Sequence, residues 1–87
     1  MSLSFPNASR SYDSESHRVR FWGYDNAREV PFFLEEAALF RLDPKAHDTE
    51  SAMLAAFDAS LERIRAVAGR MYSASRRHFY TLVAADF

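Results

Sequence analysis

Three histidines, a pair of neighbouring glutamates and a scatter of serines are the side chains of this sequence that could carry acid–base, metal or nucleophile chemistry. His17, His47 and His78 fall in separate segments, without the His-x-His or His-x-x-x-His spacing that brings two imidazoles to one ion. They read as ordinary surface histidines. Glu35 and Glu36 are adjacent, and adjacent helical positions point about 100° apart. Acids at a helix start already have a role in the field of the backbone dipole. With Gly23 and Gly69 as the only glycines, there is no glycine-rich phosphate loop and no Gly-x-Ser-x-Gly elbow to activate a serine. The absence of cysteine excludes disulfides, thiolate metal sites and cysteine nucleophiles. The expectation is a protein without enzymatic activity, cofactor, bound metal or small-molecule ligand.

Recognition chemistry is better represented. Trp22 alternates with Arg18 and Arg20, Phe33 follows in the next apolar segment, and near the end of the sequence Arg76 and Arg77 precede Phe79 and Tyr80, one of which is expected beside these rings. Rings and guanidinium groups on one uncovered surface suit a protein interface, because Trp, Tyr and Arg are enriched at binding hot spots. The same groups suit single-stranded nucleic acid, where each base stacked on an aromatic contributes about 1–3 kcal/mol. A third reading has the N-terminal segment or Tyr12 folded over the rings, which would leave no docking surface.

The elements that carry these residues decide which face they share. Leu3 and Phe5 alternate with serines before Pro6-Asn7 and read as a short first strand. Residues 8–16 are polar and read as a connection, with Tyr12 tucked back onto the core. From His17 to Tyr24, Val19 and Phe21 fall on one face and Arg18, Arg20 and Trp22 on the other, the period of a half-buried strand. Gly23-Tyr24-Asp25-Asn26 supplies hairpin turn chemistry. A third strand from Arg28 to Phe33 puts Val30 and Phe32 opposite Glu29, Pro31 and Phe33, and Pro31 favours an edge or a position turned from its neighbour.

Helical spacing follows. Glu35 to Leu42 reads as two turns stopped by Asp43-Pro44. Asp48 or Thr49 then caps a long helix to about Ser73, whose Met53, Phe57, Leu61, Ile64, Ala68 and Met71 recur at steps of three and four. Gly69 lies near its end. Residues 76–83 carry Phe79, Tyr80, Thr81, Leu82 and Val83 and read as a closing strand. The order predicts one α+β domain over residues 1–87: two layers, an antiparallel sheet of about four strands in β-β-β-α-α-β order, with a short and a long helix on one face.

Charge narrows the partners. A formal net charge of −1 and a pI near 6.3 disfavour a dedicated nucleic-acid binder. Seven acids between Asp25 and Glu50 face three basic residues there, whereas residues 63–77 hold five arginines and no acid. That gradient reads as pairing between neighbouring elements, or else as a partner surface. No apolar run approaches the roughly 18–20 residues of a membrane span, and the N-terminus lacks the pattern of a signal peptide, so a cytoplasmic location is expected.

Leu3-Ser4-Phe5-Pro6-Asn7, Val19-Arg20-Phe21-Trp22-Gly23, Ala56-Phe57-Asp58 with Ile64, and Tyr80-Thr81-Leu82 through Asp86-Phe87 resemble a small bacterial family, the domain of unknown function 1488 family. The resemblance runs over nearly the whole chain and implies a short α+β domain. It brings no catalytic or binding residue. The reading that follows is a non-enzymatic interaction module whose strand face, centred on Trp22 with Arg18 and Arg20, joins a second protein chain, its own copy included. The alternative is single-stranded nucleic-acid binding through that face and Arg76-Arg77.

Overall fold

A computed structural model describes residues 3–6, 9–45 and 49–87. Asn7, His47 and Asp48, singled out above, lie outside the described residues. Among the described residues the order is β1 (Leu3–Ser4), β2 (Arg10–Asp13), β3 (Arg18–Asp25), β4 (Arg28–Glu35), α1 (Glu36–Leu42), α2 (Glu50–Ala59), α3 (Leu61–Ala74) and β5 (Tyr80–Leu82), then a 3-10 turn, Ala84–Asp86. The fold is α+β in two layers, with helices on one face of the sheet.

β3 and β4 form the hairpin that the alternation predicts, in a register that pairs Arg18 with Glu35 and Asp25 with Arg28. Its turn is Asn26-Ala27, and Asn26 takes a left-handed φ of 58°, a conformation its short polar side chain tolerates. The expected turn had begun at Gly23. That glycine instead lies inside β3, where a Cβ would stand 2.9 Å from Leu3 and 3.0 Å from Phe5. Close approach by the N-terminal strand, not a turn, requires glycine there.

The segment read as a polar connection contains β2. Its four residues pair antiparallel with the first half of β3, from Arg10–Phe21 to Asp13–Arg18, while β1 pairs with the far end, Leu3–Asp25 and Ser4–Tyr24. Since β4 occupies the other side of β3 throughout, β1 and β2 share one edge. Period-2 patterning failed here because β2 places Arg10 and Tyr12 on the helix side, where polar groups meet polar partners. Arg10 donates two 2.9 Å hydrogen bonds to Asp58 of α2, and Tyr12 donates one of 2.6 Å to Glu36 of α1.

The closing strand is shorter than expected and runs parallel to β4, pairing Phe32 with Tyr80 and Leu34 with Leu82. The sheet is therefore mixed. Pro31 belongs to a central strand, yet β5 begins opposite Phe32, so the proline lies beyond that ladder and removes none of its hydrogen bonds.

The predicted long helix breaks at Ser60, whose backbone (φ −106°, ψ 15°) leaves the helical region. A straight helix of about 25 residues would be about 37 Å long, while a sheet four strands wide at about 4.8 Å spacing is less than about 20 Å across. Bending lets α2 stay beside β2 while α3 crosses to β5. Thr49 caps α2 by accepting a 3.0 Å hydrogen bond from the Ala52 N–H. α1 begins at Glu36 without a side-chain cap, and it ends at Asp43, whose N–H donates to the Leu39 carbonyl at 2.8 Å.

The core is a row of rings across the strands. Phe21 stacks on Phe32 at 5.2 Å between centroids, Phe32 on Tyr80 at 5.3 Å, and Tyr80 meets Tyr72 of α3 edge-on at 5.9 Å. Val19, Val30, Leu34, Leu39, Ile64 and Leu82 fill the space around it. Each such side chain contributes about 1.5–3 kcal/mol by leaving water.

Candidate functional site

The face turned away from the helices follows from strand parity. Burial of Val19, Phe21 and Gly23 in β3 and of Val30, Phe32 and Leu34 in β4 sends Arg18, Arg20, Trp22 and Tyr24, with Glu29, Pro31, Phe33 and Glu35, to the other side. The register sets Arg20 beside Phe33, Trp22 beside Pro31 and Tyr24 beside Glu29. Among the described residues of the N-terminal segment, Ser9 lies beside Trp22, Tyr24 and Glu29, while Tyr12 and the first strand are turned elsewhere. Tyr12 is on the helix side, and Leu3 and Phe5 pack against the core.

The arginines do the covering. The Arg18 guanidinium lies 3.8 Å from the Phe33 ring centroid, and that of Arg20 lies 5.1 Å from the Trp22 ring. Both rings are half-buried. Cation–ring contacts of this kind stabilise by about 0.5–1 kcal/mol where water has access. Asp13 stands 3.7 Å from Arg18 and accepts backbone hydrogen bonds from Ser16 and Glu15. Those bonds, that of Ser16 foremost, hold its carboxyl below the usual carboxylate range. Among the described residues, no carboxylate forms an ion pair with Arg20.

Tyr80 does not join this face. It is 1% exposed and lies in the ring row, because the parallel register places it opposite Phe32. Phe79 takes the outward place: it is 53% exposed and meets Phe33 edge-on at 5.8 Å. The signal was available in parity, since Leu82 must be buried and Tyr80 shares its side. Arg76 and Arg77 lie in the loop before β5 and not on the strands. Arg76 reaches over the Tyr72 ring at 5.3 Å, and the Arg77 Nε donates to the Ser75 Oγ at 3.1 Å. Tyr24 belongs to the face too; it ends the predicted strand and also falls in the predicted turn, and only the observed turn at Asn26-Ala27 gives it the parity of Trp22.

The histidines divide. His78 is exposed in the loop before β5. His17 stands 3.5 Å from the Glu36 carboxylate, which also accepts the Tyr12 hydroxyl. That hydrogen bond to Glu36 is the main cause that pushes the Tyr12 hydroxyl up to about 12. Among the described residues, no three His, Asp or Glu side chains gather as metal ligands, and no helix is long and apolar enough to cross a membrane.

No match to the chain was found among curated proteins or among solved structures. The model of the family described as Protein of unknown function (DUF1488) matches residues 3–83, which span every strand and helix described above, and the chain belongs to that family.

Proposed function

We propose that this chain is a cytoplasmic, non-enzymatic interaction module that docks the outer face of its sheet against a second copy of itself. The observation that carries the reading is the charge order along that face. One end presents Arg20, without a carboxylate ion pair among the described residues, the middle presents Trp22 and Pro31, and the other end presents Tyr24 and Glu29. A two-fold axis through the middle sets each Arg20 against the opposite Glu29, the self-complementarity that an isologous interface needs. The half-buried rings at the centre supply apolar contact, and the acidic rim disfavours a polyanion.

The size of the face sets the strength. β3 and β4, eight residues each at about 3.3 Å per residue and flanked by shorter strands to a width of four at about 4.8 Å, give a footprint of at most about 500 Å². A standard interface covers about 800 Å² per partner. The dimer is accordingly a weak one, present at high concentration and dissociating on dilution. Sedimentation velocity across a concentration series tests it. The wild type should shift toward dimer as concentration rises and Trp22→Ala should stay monomeric, whereas a wild type that is monomeric throughout removes the reading.

A further inference from the structure

The loop between α3 and β5 is built more firmly than its exposure suggests. The buried Tyr80 hydroxyl donates to the Ser75 carbonyl and accepts from the Arg77 N–H at 3.0 Å. Arg77 ties its Nε to Ser75, and Arg28 of β4 reaches the Arg77 carbonyl at 3.5 Å. These bonds hold open a shallow cleft of about 460 Å³ lined by Arg76, Arg77, His78, Phe79 and Thr81. That size falls within the roughly 300–1,000 Å³ of small-ligand sites.

No acid lines the cleft, and none of Arg28, Arg76 and Arg77 forms an ion pair among the described residues. Asp25 is the carboxylate in this corner of the fold, and it already accepts the Tyr72 hydroxyl at 2.5 Å. The cleft's own two arginines, Arg76 and Arg77, therefore have no carboxylate partner among the described residues, and Arg28 adds positive charge behind the loop through its contact with the Arg77 carbonyl. Guanidinium forks match phosphate oxygens in pairs, which makes a phosphate dianion the anion best suited to them. Beside them Phe79 keeps over half its surface open, a platform on which a flat ring can stack.

We propose that this cleft binds a phosphate-bearing aromatic ligand of the nucleoside monophosphate class. The arginines take the phosphate and Phe79 takes the ring. A longer nucleic-acid strand leaving the cleft across the sheet would meet Asp13, Glu29 and Glu35, which favours a small ligand over a polymer. The site is separate from the dimer face except where Phe79 touches Phe33.

The test is a titration of the full, isotopically labelled chain followed by amide chemical shifts, with AMP, inorganic phosphate and adenosine as probes. AMP should move the amides of residues 76–81 saturably, with phosphate and adenosine each binding more weakly. Arg77→Gln, exposed and without a core contact, should weaken AMP by about tenfold, the loss of one charge-assisted bond. Phe79→Ala should bring AMP down to the affinity of phosphate and leave phosphate unchanged. The proposal is overturned if AMP moves no amide in the loop or if a well-dispersed Arg77→Gln variant binds AMP as tightly as the wild type. It is equally overturned if oligothymidylate binds at far lower concentration while shifting Arg20 and Trp22. Sedimentation of Arg77→Gln should match the wild type, which keeps this result independent of self-association.

Discussion

The Arg18 guanidinium lies over the Phe33 ring at 3.8 Å, and its Nε is buried without a hydrogen-bond partner among the described residues. Contact with the ring and the Asp13 carboxylate at 3.7 Å offsets that cost, and both depend on a flat, delocalised cation. Lysine keeps the charge but not the plane. Arg18→Lys should therefore lower stability by about 0.5–1 kcal/mol, a few degrees in melting temperature for a domain this small. Thermal unfolding by circular dichroism measures it, and an unchanged midpoint would show that the stack contributes nothing.

Charge reversal probes the proposed dimer with every ring kept in place, at the loss of the Arg20 contact with Trp22. Arg20→Glu and Glu29→Arg should each weaken association, and the double variant should recover it, since the two positions exchange partners across the axis. Exposed substitutions of this kind usually change fold stability by less than about 0.5 kcal/mol. Concentration-dependent sedimentation of the four proteins reads the result; additive losses without recovery would remove the paired geometry.

The two glycines should respond with opposite signs. At Gly23 a Cβ meets the Leu3 and Phe5 side chains and the Ser4 carbonyl at 2.9–3.2 Å, and relief requires both side chains to turn aside and the carbonyl to give by a few tenths of an ångström. Gly23→Ala should cost about 1–3 kcal/mol, as overpacking does. At Gly69 nothing lies within 4 Å, and the residue sits inside α3. Gly69→Ala should stabilise by about 0.5–1 kcal/mol. Denaturant midpoints for the pair distinguish these outcomes.

Alkaline pH should loosen the junction of β2 with α1. The hydrogen bond that the Tyr12 hydroxyl donates to Glu36 pushes it up to about 12, above the value of about 10 for an unfolded tyrosine. The raised value means the folded state holds the proton more tightly. Its stabilisation is complete below about pH 10 and disappears as pH rises through about 12. Tyr12→Phe should abolish the tyrosine step near pH 12 in a spectrophotometric titration and flatten that part of the stability curve.

Much of this was legible in the residues. Alternation over residues 18–33 gave the hairpin and its two faces, because one side of a half-buried strand must be apolar. The helical stripe gave the packing side of α2 and α3 but not the break at Ser60, since Phe57 and Ile64 stay in phase across it. β2 escaped because its inward residues are Arg10 and Tyr12, whose partners Asp58 and Glu36 come from remote helices. The direction of β5 escaped too, as no local pattern distinguishes a parallel neighbour from an antiparallel one. Of the two rings offered for the outer face, parity with Leu82 sends Tyr80 to the core and leaves Phe79 outside.

A parallel β5 has one more consequence, for the order of events during synthesis. Phe32 and Leu34 leave the ribosome early, but the neighbours that cover them, Tyr80 and Leu82, come 48 residues later. Until those two emerge, the nascent hairpin carries an open aromatic edge. Closing so distant a pairing is entropically slow, so the growing chain passes through an interval in which holdase chaperones have a target that the finished molecule no longer displays.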